Sequence, residues 1–305
     1  MRPSTAASRS RGDSGRQAAV LAAAYGAVVL WGATPMVTKV AVAAIDPLTV
    51  GILRTLLGAL AALPIIVLGR LRPPASVRAR AHLAVSALGG FVLFPVLFTL
   101  GLGLTSAGHG ALLLGILPVL TGLIAALLER RLPRGRWWAG CAVALVGTVL
   151  LVGERFALDS GEASLAGNAL VLAAAVAAAA GYVAGARAAR ETGTWPITLW
   201  GLVVGGVVLV PILPFLVSPR ELAGAGALAL SAVLYLAAAS SILAYAAWYW
   251  ALGRGGIGRT GLAQFLQPVV GVVLAVAILR ESLTWPMVLA AATILGGVAL
   301  ARGRA

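Results

Sequence analysis

Ten consecutive stretches of mostly apolar residues run through the chain, and they restrict its fold more than any other feature. Each is about 20 residues long, which is the length a helix needs to cross the hydrocarbon core of a bilayer. Strands of a membrane β-barrel are about half as long and alternate apolar with polar residues, and these stretches do not alternate. The stretches are 18–38, 47–69, 82–104, 107–128, 135–153, 164–186, 195–217, 227–250, 257–279 and 284–301. We therefore predict an all-α integral membrane protein with ten transmembrane helices.

The composition indicates a chain surrounded by lipid rather than water. Of the 305 residues, 61% are hydrophobic and only 10% are charged, whereas a soluble domain is about 45–50% apolar and about 25% charged. The net charge of +14 would indicate nucleic-acid binding in a soluble protein. In a membrane protein, however, basic residues collect in cytoplasmic loops and set the orientation. We expect the lipid bilayer, and no nucleic acid, as a partner.

The charges between the apolar stretches predict which helix ends face the cytoplasm. If the amino terminus lies inside, the cytoplasmic segments carry most of the arginines and three acidic residues. The outer segments then carry three arginines and six acidic residues, an asymmetry that follows the positive-inside rule. We therefore expect both termini in the cytoplasm, with residues 1–17 forming a basic cytoplasmic tail.

The chain resembles itself at an offset of about 150 residues. Pairs at this offset share their residue type and their place in the unit: Pro118 and Pro268, Val119 and Val269, and Gly147 and Gly297. The two units, 18–153 and 164–301, would each hold five helices. Because five is odd, the second unit would enter the membrane from the opposite side. Inverted repeats of this kind are common in transporters, whose similar halves exchange conformations.

The order of motifs over about 20–301 resembles a known family. The motifs are Trp31-Gly32, Lys39, Arg54, Thr105-Ser106-Ala107-Gly108, Pro118, Glu129-Arg130, Gly140, Gly147, Gln267-Pro268-Val269, Glu281 and Gly297. This pattern is similar to the EamA-type family of the drug/metabolite transporter superfamily. The resemblance implies a ten-helix carrier of the bacterial cytoplasmic (inner) membrane, often an exporter of amino acids, other metabolites or toxic compounds. The preference for export over uptake comes from the resemblance alone.

Lys39 and Arg54 are the only cations that the sequence places at membrane depth. Arg54 lies about seven residues into the second span, roughly 10 Å deep at a rise of 1.5 Å per residue. An unpaired charge at membrane depth costs at least ~2.5 kcal/mol, so its side chain should face the bundle interior or water. Either cation could anchor a carboxylate or another anionic group of a substrate. Alternatively, each could extend to the membrane surface or bind backbone carbonyls.

Gln264 and Gln267 lie three residues apart in the ninth span and therefore on one face of a helix. Amides in a membrane seek partners, so these two either bridge helices or line a polar cavity. Pro268 interrupts the helical hydrogen bonding beside them, and Pro118 does the same in the fourth span. We expect both prolines to serve as gating bends.

Trp31 and Tyr245 lie deep within spans, where their rings could form the wall of a site for amphipathic or aromatic solutes. Aromatic residues near the end of a span more often anchor the protein at the membrane interface. We expect that role for residues 248–250, which lie at the inner end of the eighth span. Ser240 and Ser241 are expected to bind the backbone of their own helix.

No Asp or Glu lies clearly inside a predicted span, although carboxylates in the membrane are the usual proton relays. His109, near the outer start of the fourth span, titrates in a suitable pH range and is the candidate for proton coupling. The alternative is a hydrogen bond at a helix end. The pair Gly181 and Gly185 has the spacing of close helix contacts, which could serve packing within the chain or a homodimer.

These features together predict a secondary transporter of small organic metabolites, amino acids or amphipathic compounds that works by alternating access. The candidate substrate-binding residues are Trp31, Lys39, Arg54, Tyr245, Gln264 and Gln267. A channel or a structural membrane subunit is the alternative. An enzyme is less favoured, because no nucleophile with a base, pair of carboxylates or phosphate-binding loop is recognisable. Cys141, His82 and His109 stand in separate segments, so no metal or other cofactor is expected.

Overall fold

A computed structural model describes residues 5–105, 110, 113–158, 164–216, 219–279 and 284–302. Every regular element within these ranges is helical. His109, the candidate for proton coupling, lies outside the described residues, and so does Glu281. Many large apolar side chains, such as Leu60 and Val67, are exposed on the outside of the bundle, as a surface in contact with lipid requires.

The described residues of the first part of the chain form seven helices. They are α1 (Thr5–Gly32), α2 (Thr34–Val42), α3 (Pro47–Leu68), α4 (Val77–Ser86), α5 (Phe94–Leu104), α6 (Leu117–Glu129) and α7 (Gly135–Leu158). A π-helical segment, π1 (Ala87–Leu93), joins α4 to α5, and the three segments form one continuous helical stretch, Val77–Leu104.

The second part contains a matching series. Its helices are α8 (Leu165–Thr192), α9 (Thr194–Leu209), α10 (Gly226–Tyr235), α11 (Ala244–Gly255), α12 (Ile257–Gly261), α13 (Gln267–Leu279) and α14 (Trp285–Arg302). A second π-helical segment, π2 (Leu236–Leu243), joins α10 to α11, and the 3₁₀ segment Leu262–Leu266 joins α12 to α13. A 3₁₀ turn (Val210–Ile212) and two short helices (Leu213–Leu216 and Pro219–Gly224) follow α9.

Seven helical stretches in the described residues are long and apolar enough to cross a membrane. They are Gly15–Val42, Pro47–Leu68, Val77–Leu104, Leu165–Thr192, Thr194–Phe215, Gly226–Gly255 and Trp285–Arg302. The other predicted windows hold the shorter apolar helices Leu117–Glu129 and Gly135–Leu151 and the interrupted helix over 257–279. The all-helical, multi-pass architecture is confirmed, whereas the count of ten spans and their inverted arrangement stay predictions.

Arginines at the ends of several helices meet at one end of the bundle. Nε of Arg190, near the end of α8, donates a hydrogen bond to the carbonyl of Gly253 in α11 (3.2 Å). Nη1 of Arg302, the last residue of α14, donates to the hydroxyl of Tyr25 in α1 (2.8 Å). Arg302 also lines a cavity together with Arg16 of α1, so the end of α14 and this part of α1 lie at the same arginine-rich end.

Proline stands in the first turn of α2, α6 and α13, which each begin inside the bundle. Pro35 is the second residue of α2, after a turn at Ala33. Pro118 is the second residue of α6 and Pro268 the second residue of α13. Proline is tolerated there because the first N–H groups of a helix have no partner within it. Each proline therefore marks the restart of a helix rather than a bend within a continuous one.

The segments π1 and π2 lie about 150 residues apart, at corresponding places of the two repeats. At the end of π1, Pro95 has no N–H to donate to the carbonyl of Phe91, four residues back. The hydroxyl of Thr55 on α3 donates to this carbonyl instead, at 2.6 Å. In π2 the hydroxyl of Ser241 donates to the carbonyl of Leu236, five residues back, at 2.9 Å. A π-helix is rare and is frequently found at functional sites.

Glycines allow several helices to touch through their backbones. A Cβ added to Gly297 of α14 would overlap the backbone of Ala144 in α7. A Cβ on Gly181 would lie 2.8 Å from the amide nitrogen of Gly90 in π1, and Gly185 faces an aromatic ring of α11. The glycine spacing in α8 is therefore used for packing within the chain.

Candidate functional site

Arg54 is fully buried inside the bundle, although it carries a positive charge. Its Nη2 donates hydrogen bonds to the hydroxyl oxygens of Ser240 (3.1 Å) and Ser241 (3.2 Å) in π2. Its Nη1 is buried without a hydrogen-bond partner, and no carboxylate of the described residues pairs with the guanidinium. The side chain therefore does not extend to the membrane surface. It keeps an unused donor where a charge without a counter-ion is costly.

Ser240 connects Arg54 to the first helices of the chain. Its hydroxyl oxygen lies 3.2 Å from that of Thr34 in α2, and its carbonyl accepts a hydrogen bond from Nε1 of Trp31 (2.9 Å). Ser241 binds the backbone of π2, which confirms the expectation for that residue, and it also accepts a bond from Nε of Arg54 (3.4 Å). The sequence analysis did not foresee that the two serines hold the guanidinium.

A cluster of buried aromatic rings packs beside these serines. It consists of Trp31, Phe91, Tyr182, Tyr245, Trp248 and Tyr249. Trp31 stacks on Tyr182 with 5.3 Å between ring centroids, and it meets the edge of Tyr245 at 5.2 Å. The ring of Phe91 lies 4.5 Å from that of Tyr245. We call this group the aromatic cluster; it draws residues from α1, π1, α8 and α11, which belong to both repeats.

The expected role of residues 248–250 as interface anchors is wrong for the first two. Trp248 and Tyr249 are fully buried, because α11 turns this face toward α1 and α8 rather than toward lipid. Only Trp250 is partly exposed, and the guanidinium of Arg254 lies over its ring at 4.7 Å.

The aromatic cluster also satisfies backbone groups of the π-helical segments. The hydroxyl of Tyr245 donates a hydrogen bond to the carbonyl of Gly90 in π1 (2.8 Å). The hydroxyl of Tyr249 lies 2.8 Å from that of Ser86, at the end of α4. A carbonyl without a partner inside a membrane protein is costly, so the bond to Gly90 stabilises the local departure from the α-helix, whereas the contact between Tyr249 and Ser86 joins two side chains.

Gln264 and Gln267 occupy different environments. Gln264 lies in the 3₁₀ segment, is buried, and has no hydrogen-bond partner for either amide atom. Gln267 is half-buried at the start of α13, and its backbone carbonyl faces Gly32 of α1. The hydroxyl of Thr121 in α6 is also buried without a partner, and its methyl group lies 3.6 Å from the position of a Cβ on Gly261. No hydrogen bond joins the amide of Gln264 to Arg54 or its serines.

Lys39 follows Trp31 in the chain but belongs to the next helix, α2. It is half-buried in the last turn of α2, beyond the break at Ala33. The fold thus brings together Trp31, Arg54 and Tyr245 among the predicted binding residues. The residues that the sequence analysis missed are those whose burial depends on tertiary contacts, such as Tyr182.

The arrangement can bind a small solute in two ways. The guanidinium and the serine hydroxyls can bind an oxyanion, because charge-assisted hydrogen bonds from arginine match carboxylate geometry. The rings of Trp31 and Tyr245 offer a flat apolar surface that stacks on aromatic or aliphatic groups. No group of three or more His, Cys, Asp or Glu side chains suited to a metal ion occurs in the described part of the chain.

Apolar helices that enclose a buried polar centre define a multi-pass membrane protein. Comparison with known proteins identifies the family within this class. The EamA-like transporter family matches residues 18–153 and 165–303. The chain belongs to this family and is a membrane transporter, which confirms the resemblance found in the sequence.

Several relatives are similar over nearly their whole length. The chain is 32% identical over 278 residues to the uncharacterized transporter YdeK of Bacillus subtilis (strain 168), covering 91% of this chain and 94% of the relative. It is 30% identical over 282 residues to a probable amino-acid metabolite efflux pump of Escherichia coli (strain K12), covering 89% of this chain and 90% of that relative. A solved crystal structure, 22% identical, superposes with a TM-score of 0.73 over 93% of this chain and 97% of that chain, which shows a shared fold.

Proposed function

We propose that this transporter is a secondary exporter of small organic solutes across the cytoplasmic membrane. It works by alternating access between two inverted halves of five helices each, with both termini in the cytoplasm. Its substrates are metabolites, amino acids or amphipathic compounds. Among these, the buried cation favours solutes that carry a carboxylate or another anionic group.

The observation that carries the proposal is Arg54. Its guanidinium is fully buried, is held by neutral hydroxyl groups and keeps one nitrogen without a partner. An anion that enters the site would stabilise this cation strongly, because the attraction between opposite charges is strong where water is excluded. The adjacent aromatic cluster favours an apolar or aromatic part on the same solute.

The contacts between the two repeats support alternating access. The carbonyls of Gly90 in π1 and Ser240 in π2 occupy corresponding positions, and each accepts a hydrogen bond from an aromatic side chain of the other repeat. A binding site shared in this way changes shape when one half moves relative to the other. Such sites at the repeat interface are typical of transporters built from inverted repeats.

Export is supported by relatives and by the cavities at the arginine-rich end. The relatives in Escherichia coli and Salmonella typhimurium are each named a probable amino-acid metabolite efflux pump. Cavities of about 610 and about 750 Å³, the first lined by Arg254 and the second by Arg302, lie at the end that the charge asymmetry assigns to the cytoplasm. A solute would enter the bundle from that side.

Pro118 and Pro268 are proposed as the gating positions. Each restarts a helix next to a break in the hydrogen-bond ladder, where the backbone can change direction at low cost. Replacing either by alanine should slow transport while leaving the half-saturation concentration near that of the unchanged protein. If Pro118→Ala and Pro268→Ala both transport at the normal rate, bending at these prolines is not needed.

The decisive experiment measures flux in liposomes. Purified protein is reconstituted in vesicles loaded with a mixed pool of amino acids and metabolites, and efflux is measured by mass spectrometry with and without a pH gradient. We expect selective efflux of anionic solutes that is lost in Arg54→Gln and retained in Arg78→Gln, a control at an exposed arginine of α4. No selective flux from folded protein would overturn the proposal. Flux that neither saturates nor shows competition from the opposite side would indicate a channel.

A further inference from the structure

A cavity of about 460 Å³ at the arginine-rich end is lined by four arginines, and no acidic residue is among the described residues that line it. Arg16 reaches it from α1, Arg254 and Arg259 from the junction of α11 and α12, and Arg302 from the end of α14. Its size falls in the range of ordinary ligand-binding pockets, which is about 300–1,000 Å³. The cavity lies outside the aromatic cluster, and it shares Arg259 and Arg302 with the cavity of about 750 Å³ that we propose as a solute entrance.

Arg302 is held in place by Tyr25, and two of its guanidinium nitrogens remain without a hydrogen-bond partner among the described residues. Its Nη1 donates to the hydroxyl of Tyr25, and its guanidinium carbon lies 5.7 Å from the centre of that ring. Its Nε and Nη2 are buried and have no hydrogen-bond partner in the described part of the chain. The positive-inside rule explains why arginines gather at this end. That rule is satisfied by arginine side chains in water, so it does not explain why these donors are buried. Buried donors without partners indicate a ligand that supplies acceptors.

The location of the cavity indicates which ligand supplies these acceptors. Arg302 ends one apolar span and Arg16 lies at the start of another, so the cavity sits level with the ends of membrane-crossing helices. Guanidinium groups bind phosphate oxygens in pairs of parallel hydrogen bonds. Basic pockets between helices on the cytoplasmic side of a membrane are suited to anionic lipid headgroups. We infer that this cavity binds the phosphate headgroup of an anionic phospholipid.

The test measures lipid binding by the purified full-length protein in a neutral detergent. Thermal unfolding midpoints and bound lipid, by native mass spectrometry, are followed while phosphatidylglycerol or phosphatidylcholine is added. We expect phosphatidylglycerol to raise the midpoint and phosphatidylcholine to leave it unchanged. Arg302→Gln and Arg259→Gln should each weaken phosphatidylglycerol binding about five-fold, as expected for one basic residue at an anionic surface. Arg78→Gln, at the same end but outside the cavity, should bind as the unchanged protein does.

Several results would overturn the inference. Equal stabilisation by the two lipids, or unchanged phosphatidylglycerol binding in Arg302→Gln, would exclude a headgroup site at this cavity. If inorganic phosphate gives the same shift and displaces the lipid, the cavity is a site for soluble anions. Should Arg302→Gln fail to fold, Tyr25→Phe replaces it, because this change removes only the hydroxyl that holds the guanidinium, and a normal lipid response there would count against the site. Lipid binding needs no substrate, so its outcome is independent of the flux experiment.

Discussion

Nε1 of Trp31 donates a hydrogen bond to the carbonyl oxygen of Ser240, 2.9 Å away. The hydroxyl of Tyr245 donates in the same way to the carbonyl of Gly90, at 2.8 Å. The two contacts are reciprocal, since each repeat supplies a ring to the π-helical segment of the other. The same Ser240 binds Arg54 through its hydroxyl. A relative movement of the repeats therefore alters the surroundings of the buried charge.

Replacing Arg54 by lysine tests whether the shape of the cation matters in addition to its charge. Lysine keeps the charge but has no planar fork, so it cannot bind both serines and an anion in the same geometry. We expect the half-saturation concentration of an anionic substrate to rise about ten-fold or more, because a hydrogen bond to a charged group contributes about 1.5–3 kcal/mol. Concentration-dependent flux in liposomes measures this. A lysine variant with unchanged half-saturation would show that charge alone suffices.

Removing the hydroxyl of Ser240 should loosen Arg54 without breaking the backbone contact to Trp31. Ser240→Ala leaves Nη2 of Arg54 with one acceptor fewer in a buried place, so the free energy of unfolding should fall by about 1–3 kcal/mol. Chemical unfolding in detergent measures the change. Ser231→Ala is the matched control, since that hydroxyl is exposed on α10 and binds only the carbonyl of Leu228. Equal stability of the two variants would contradict the role given to Ser240.

Thr55 and Pro95 should be energetically coupled through the carbonyl of Phe91. Thr55→Val removes the donor to this carbonyl and should cost about 1–3 kcal/mol of unfolding free energy. Pro95→Ala supplies an N–H that can take over, so Thr55→Val should cost less in that background. A double-mutant cycle of unfolding free energies measures the coupling. Strictly additive costs would mean that Pro95 is not the reason for the Thr55 contact.

Two neighbouring glycines of α14 should respond differently to a single added methyl group. Gly297→Ala would place its Cβ against the backbone of Ala144, which cannot move aside as a flexible side chain can. Gly296→Ala meets nothing within 4 Å. We expect a clear drop in the thermal midpoint for Gly297→Ala, as overpacking costs about 1–3 kcal/mol, and little change or a slight rise for Gly296→Ala. Similar midpoints would show that α7 and α14 can separate without loss.

The position of α3 was predictable because its signals are local. The window 47–69 corresponds to helix α3 (Pro47–Leu68), whose start follows from two residues in the sequence. Asp46 caps the helix by accepting hydrogen bonds from the amides of Leu48 and Thr49, and Pro47 fits the first helical position. Hydrophobic length and capping depend on neighbours in the chain, so they can be read without knowing the tertiary structure.

The binding centre was only partly predictable. Arg54 stands out in any sequence of apolar spans, since a charge at that depth is rare. Its partners Ser240 and Ser241 do not stand out, because serines in a membrane helix usually bind their own backbone. Tyr182 lies in a run of alanines, and its role depends on which face of α8 meets α1. Pro95 was the available signal for π1, but its effect also needs the hydroxyl of Thr55.

The π-helical segments make the number of residues in these helices as important as their identity. A π-turn holds about one residue more than an α-turn, so a one-residue deletion in π2 would allow it to wind as an α-helix. Every later side chain of that helix would then rotate by about 100° around the axis. Tyr245 and Trp248 would leave the aromatic cluster together, although neither had been replaced. Within the family, gaps and insertions in these two short segments should therefore separate members that share this binding centre from members that have lost it.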